Sequence, residues 1–523
     1  MATVSLPDEA DVVVLGAGHN GLVCAGYLAE AGLQVAVLEA RPLVGGNTAT
    51  EELTLPGFAH DSCSSAHVLI QSSPLLADDE LGLTSRWGLE YVHTDPAVVL
   101  PQPDGDSLVI HRDLEATVDE IGRWSASDAA AFRKLIEEWT AGLAAVHGRW
   151  SSALPLDDTP ATKAYRELRA RSAWAVVHER FQHPAIRSMV LWLSLATIQD
   201  PRRPGTGILP SSIAAGRLRF GWSTPIGGSG ALPAALVRLL EARGGSVVCD
   251  APVSRIEVSS GRAVAVRTTD GRRVRARRAV VASSHLARLP GLLTGPGGLE
   301  RAPDDIAAAR AAWRPGLSVF AVHAALRGDL AFTSQGRSLR SVAGGLGSTE
   351  GVAAQLEAFG RGETDARDPW LLVVNQTVVD RSRAPGGSGT FKILTIAPWD
   401  RADGRPWSRA KDEFAGQLID RVRARVRGLA VDDILAVRAE SPADIAAHNV
   451  HNLGGSCHGG EFATREGEIL VGWPNYGTSI DGLFLTGSTS HPGGSVSGRS
   501  GRNAARAVLR ALELDPATVM GPN

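Results

Sequence analysis

The chain opens on an unbroken apolar run, Val12-Val13-Val14-Leu15, the pattern of a parallel strand buried on both faces. Gly16-Ala17-Gly18-His19-Asn20-Gly21 follows at once, and Leu22, Val23, Tyr27 and Leu28 then recur at helical steps up to a stop at Gly32. A second apolar strand, 34–38, ends at Glu39. Strand, glycine turn, helix, strand and acid in this order predict a βαβ unit built for a dinucleotide. Gly16 permits the tight turn, Gly18 lets backbone approach a pyrophosphate, and Gly21 lets the helix pack close to the strand. Glu39 is placed to accept hydrogen bonds from a ribose diol, and its charge repels a 2′-phosphate.

Between 114 and 200 the pattern is helical. Ser125 to Asp128 caps a helix in which Phe132, Leu135, Ile136, Trp139, Leu143 and Val146 share one side, and further helices are predicted over 164–180 and 184–196. Trp124, Trp139, Trp150, Trp174 and Trp192 fall here; core packing is their default role, and walling a substrate tunnel is the alternative. The stretch 201–210, PRRPGTGILP, reads as a linker.

The first pattern then returns. Helix 231–243 is followed by short strands at 246–249, 253–258, 263–268, 273–276 and 279–282, which read as a second instalment of the dinucleotide domain. Strands 318–326, 371–379 and 391–397 predict an antiparallel sheet flooring a substrate domain. Lys392 reads as a surface residue on an edge strand. The glycine-rich stretch 344–362 reads as a lid, and 412–426 as an amphipathic helix. Near the end, strand 483–485 runs into Thr486-Gly487-Ser488. His491-Pro492-Gly493-Gly494-Ser495-Val496-Ser497-Gly498 then leads into a helix from Arg499. Such a turn presents free N–H groups and the positive end of a dipole.

Composition narrows the chemistry. The 523 residues suit two or three domains, and a net charge of −3 (53 basic, 56 acidic) gives no reason to expect nucleic acid as a partner. Cys24, Cys63, Cys249 and Cys457 form no CxxC pair, which argues against a dithiol centre and fits a reducing compartment. With no basic-then-apolar leader and no membrane-length apolar run, the expected location is cytoplasmic, with room for a peripheral membrane contact. His448, His451, Cys457 and His458 have spacing that suits a metal, but a loop pressed on a ligand, or plain turn chemistry, ranks ahead; no metal is expected.

Taken together, GAGHNGLVCAGYLAEAG, VLEARPLVGG, the middle GGSGAL and DGRRVRARRAVVAS blocks and LFLTGSTSHPGGSVSGRSGRNAA resemble the phytoene desaturase-like flavoproteins. That group includes carotenoid desaturases and isomerases, retinol saturases and pyridine nucleotide-disulfide oxidoreductase-domain proteins, within the flavin amine oxidase superfamily. The resemblance implies an α/β fold with non-covalent FAD held in a discontinuous Rossmann-type domain (1–75, 222–295 and 465–523). A substrate domain of mixed sheet and helices (76–221 and 296–464) lies over it. It implies cofactor contacts from Gly16, Gly18, Gly21, Glu39, Arg41, Gly45, Gly46, Val253, Gly487, Ser488, Gly493, Gly494 and Val496. Asn47, which stands where many relatives carry Arg, is expected among these contacts too. The C-terminal turn, with His491, is expected at the flavin edge, where it would stabilise the reduced anion.

The expected activity is hydride removal from a hydrophobic small-to-medium metabolite, with O2 or a quinone as acceptor and His60, His448 or His451 as proton acceptor. Amine oxidation, a redox-neutral isomerisation and a non-catalytic flavin-binding role are the alternatives.

Overall fold

The computed structural model describes residues 6–152, 154–295, 297–461, 473 and 475–521. Strand β1 (Glu9–Leu15) is the centre of the first sheet, and its alternate side chains enter separate cores. Val12 and Val14 pack with helix α1 (His19–Glu30) and with helices Ala231–Ala242 and Arg499–Ala511. Val13 and Leu15 pack on the other side with Leu286, Leu289 and Ile306. That two-sided burial is why the strand reads as continuous rather than alternating.

Parallel neighbours extend the sheet in both directions. Strand β2 (Val35–Leu38) and then Ser246–Val248 lie on one side of β1. The strand Arg273–Ala282 and then Leu483–Leu485 lie on the other. Arg273–Ala282 is one continuous strand where two were expected, and its first half carries the antiparallel hairpin of Val253–Ser259 and Arg262–Thr268. The last helix crosses α1 so closely that a Cβ on Gly501 would lie 2.3 Å from the Asn20 carbonyl oxygen.

The second sheet is mixed. Its order is Ile434–Glu440, Val319–Leu326, Gly389–Ile396, Leu371–Val374, Ala343–Leu346, Val98–Pro101 and Ser107–Ile110, antiparallel except where Gly344 meets Val99. Helices between Leu114 and Phe220 cover one face, and Trp407–Arg423 covers the other through Phe414, Leu418 and Val422. The expected domain boundary at 464/465 lies outside the described residues.

Three expectations are corrected. The glycine-rich stretch is no lid: Ala343–Leu346 is an interior strand, followed by the helix Thr349–Gly360. A Cβ on Gly345 would lie 2.3 Å from the Trp192 ring, so these glycines make room for aromatic rings laid on the sheet. Lys392 is not on an edge: Gly389–Ile396 is hydrogen-bonded on both sides, and Lys392 is buried. The linker is shorter than expected, because Pro210 sits in the first turn of a helix, Leu209–Phe220, that its fixed φ suits. Among the described residues, no helix is long and apolar enough to cross a membrane.

Candidate active site

A cavity of about 1000 Å³ lies between the sheets, with Gly16, Gly18 and Glu39 of the first and Leu372 and Leu394 of the second in its walls. At the dinucleotide end the turn after β1 behaves as its glycines demand. Gly16 takes φ +93, and a Cβ on Gly21 would lie 2.2 Å from the Gly16 carbonyl oxygen. Gly18 caps α1 with no side-chain cap and no acid in the first turn, so the helix end is left open to an anion. A Cβ on Gly18 would meet nothing within 4 Å, because it would project into the cavity itself. Glu39 accepts from Ala17 N–H at 2.7 Å and Arg41 N–H at 2.9 Å, which fixes its carboxylate beside the turn. Arg41, Gly45, Gly46 and Val253 line the same end.

The next wall is the loop Cys63–Ala66, held from behind by buried charge. Lys392 Nζ donates to the carbonyls of Asp61 (2.9 Å) and Cys63 (2.6 Å) and to Ser65 Oγ (3.1 Å), which uses its three protons. Asp61 pairs with Arg383 at 2.9 Å, both fully buried. Burial works to raise the Asp61 carboxyl, but the Arg383 charge and the Ser229 N–H hold it below the ordinary range. Lys392 is thus a brace between the second sheet and the 61–65 loop and does not line the cavity.

The segment 447–458 closes the cavity from the other side, and Asn47 anchors it. Asn47 Nδ2 donates to Asn452 Oδ1 at 2.8 Å, and its own Oδ1 accepts from Asn449 Nδ2 at 2.9 Å and Asn452 Nδ2 at 3.1 Å. His448 and His451 both line the cavity. His448 Nε2 meets Glu51 at 2.9 Å, and Arg41 reaches the same Glu51 at 3.2 Å. His451 Nδ1 accepts from His285 N–H at 3.2 Å, and burial pushes its imidazole down to about 4. His458 bonds Ser495 Oγ at 3.2 Å and is likewise pushed down to about 4 by burial. Among the described residues, no group of three or more His, Cys, Asp or Glu side chains is placed to hold a metal ion.

Gly487, Ser488, Gly494 and Val496 of the C-terminal turn complete the lining, as does Asn47; Gly21, Gly493, His60 and His491 do not line it. Gly494 is pressed under the opposite loop, where a Cβ would lie 2.3 Å from the His458 carbonyl oxygen. His491 is directed away from the cavity: its Nε2 bonds the Trp150 carbonyl at 2.5 Å, and its ring stands edge-on to Trp150 at 4.6 Å. His60 bonds Thr54 Oγ1 at 2.8 Å and meets His323 at 5.5 Å, with the 61–65 loop carrying the chain from it to the cavity wall. Neither of these two expected catalytic histidines lines the cavity. The helix after the turn also spends its first donors internally, Arg499 N on Ser497 Oγ and Gly501 N on Asn20 Oδ1. Among the described residues, the tryptophans expected as core or tunnel are absent from the lining, whose one indole is Trp222.

Two further features escaped sequence reasoning. Cys63 and Cys457 both line the cavity with their thiols close enough to shift each other's protonation, so two cysteines with no sequence spacing form a pair. That proximity, with Lys392 nearby, draws the Cys63 thiol down against burial. Arg217, from helix Leu209–Phe220, also faces the cavity. Its signal was present: Pro210, Ile213, Ala214, Arg217 and Leu218 fall on one buried helical stripe, which makes the arginine the misfit.

An open anion-receptive helix end, a carboxylate beside it and a glycine, Gly18, with open space at its Cβ fit an extended flavin dinucleotide. Residues 21–509 match the family described as flavin containing amine oxidoreductase. The chain belongs to this family. FAD is its cofactor, and the chain is a flavin-dependent oxidoreductase by membership. Mouse pyridine nucleotide-disulfide oxidoreductase domain-containing protein 2 is 28% identical, over 97% of this chain and 94% of its own. A limonene dehydrogenase polypeptide of Castellaniella defragrans is 27% identical, covering 97% and 96%. Hydroxyneurosporene desaturase of Cereibacter sphaeroides is 29% identical, covering 96% and 98%. Among solved structures, a putrescine oxidase variant superposes with TM-score 0.65 over 97% of this chain and 99% of its own at 17% identity, a likeness of fold.

Proposed function

We propose that this oxidoreductase removes hydride from a carbon of a small-to-medium hydrophobic metabolite, by C–C desaturation or a related oxidation, with O2 or a quinone as final acceptor. The observation that carries the reading is the lining beyond the 63–66 loop. Val68, Leu69, Ile198, Ile213, Leu372 and Leu394 are apolar, and among the described residues the only carboxylate in the whole lining is Glu39, at the dinucleotide end. An amine would find no anion there and would meet Arg217 instead. Relatives named desaturase and limonene dehydrogenase agree with an apolar substrate.

FAD supplies acceptance of hydride from carbon; the chain must orient the substrate, exclude water and take up the partner proton. The apolar wall performs the first two tasks. His448 and His451, which line the cavity, are the candidates for the third, since both carry an imidazole to it in a loop fixed by Asn47.

Anaerobic titration of the holoprotein with isoprenoid hydrocarbons and, separately, with primary amines tests this. Bleaching of the flavin band by the hydrocarbons is expected. Bleaching by amines alone would make it an amine oxidase. Turnover with reduced flavin and no net oxidation would make it an isomerase, and a band that no substrate bleaches would make it a binding protein.

A further inference from the structure

The cavity holds one charge that FAD binding and hydride removal leave without a task. Arg217 is 4% exposed and lines the chamber. Its Nη1 donates to the Gly221 carbonyl at 3.3 Å, while its Nε is buried without a partner. Among the described residues no carboxylate pairs with it, and burial with nothing to offset it pushes the guanidinium down to about 9. An uncompensated buried charge is costly, and a chamber walled by leucine and isoleucine is a poor place to keep one without a ligand.

The guanidinium is also held in place. It lies 4.1 Å over the Trp222 ring, and Trp222 Nε1 donates to the Ser65 carbonyl at 3.2 Å, in the loop that forms one wall of the cavity. Stacking fixes the plane of the fork, and with only Nη1 engaged the guanidinium keeps donors for an acceptor in the chamber. The other buried guanidinium stacked on an indole, Arg169 over Trp150 at 3.9 Å, differs on both counts: it bonds Tyr165 and is not in the cavity lining.

We propose that the substrate is amphipathic and carries a carboxylate that pairs with Arg217, its apolar body lying along Ile213, Leu372 and Leu394. This deepens the reading above and rests on it for the identity of the chamber. A carboxylate is favoured over a phosphate because a single planar fork with one engaged nitrogen matches two oxygens and one charge. Of the other cavity arginines, Arg41 reaches Glu51 at 3.2 Å and Arg288 Nε donates to the Val450 carbonyl at 2.7 Å. The same charge rejects alkylamines.

The test uses FAD-loaded protein and the flavin difference spectrum, with decanoate, decanol, decyl phosphate and decylamine as probes. Decanoate is expected to give a saturable shift, with decanol and decylamine at least about tenfold weaker, the span of one charge-assisted hydrogen bond. Arg217→Gln should weaken decanoate about ten- to hundredfold and leave decanol unchanged, and Arg217→Lys should restore part of the loss, with flavin content of each variant confirming that it folds. Equal binding of decanoate and decanol, tighter binding of decyl phosphate, or an Arg217→Gln variant that keeps full decanoate affinity would overturn the proposal. If decanoate binds through Arg217 but no carboxylate or hydrocarbon bleaches the flavin, the anion site stands and the oxidative reading fails.

Discussion

Asn47 and Asn452 bond each other head to tail across almost the whole chain, Asn47 Nδ2 to Asn452 Oδ1 at 2.8 Å and Asn452 Nδ2 to Asn47 Oδ1 at 3.1 Å. The amide at 47 thus closes the loop bearing His448 and His451 onto the glycine pair at 45 and 46. Asn47→Ala leaves Asn449 and Asn452 without their acceptor, at a cost of about 1–3 kcal/mol. The expected result is a lower melting temperature and weaker FAD retention by fluorescence titration. A variant matching the parent in both would mean that the loop holds itself.

Two glycines of the same turn should fail in different ways. Gly18 has φ −65 and ψ 158, which alanine adopts freely, and open space around its Cβ. Gly18→Ala should keep apoprotein stability within about 0.5 kcal/mol and lose FAD affinity, because only the cofactor meets the added methyl. Gly21→Ala, with its Cβ 2.2 Å from backbone, should destabilise the fold itself by about 1–3 kcal/mol. Calorimetry of the apoproteins beside FAD titrations separates the two.

Thiol chemistry offers a footprint. The Cys63 thiol is lowered by the neighbouring Cys457 and the charge of Lys392, and it lines the cavity. Cys24 is fully buried, and burial pushes its thiol far up. Iodoacetamide should modify Cys63 of the apoprotein and spare Cys24, and added FAD should protect Cys63. Peptide mass spectrometry reads both, and labelling of Cys63 indifferent to FAD would remove the flavin from this wall.

Acid should unfold the protein early. Burial pushes His19, His451 and His458 down to about 4 and His60, His67, His147 and His285 down to about 3. Below pH 6.5 the unfolded chain binds protons at these rings that the folded chain does not, so stability falls as pH drops, at about 1.4 kcal/mol per pH unit for each ring that is fully linked. The melting temperature should therefore fall steeply between pH 6.5 and pH 5. A flat profile across that window would mean that the rings are protonated in the native state.

The sequence made the dinucleotide half readable because its constraints are local: a strand buried on both faces, a turn only glycine permits, an acid at the end of the next strand. Val98–Pro101, Ser107–Ile110 and Ile434–Glu440 were missed, being short strands whose partners are distant in sequence. The lysine at 392 and the cysteines at 63 and 457 were misjudged for a related reason. Their surroundings come from segments hundreds of residues away, and neither spacing nor periodicity carries that information. Arg217 was legible in principle, as a charge on an apolar stripe, but the prolines before it obscured the helix.

The order in which the cradle is assembled bears on how the protein is made. Gly18 leaves the ribosome hundreds of residues before the strand Leu483–Leu485 and the loop at Gly494 that complete the cradle. Cells short of riboflavin should therefore accumulate fully translated but ungripped chains, rather than stalled fragments, for proteases to clear.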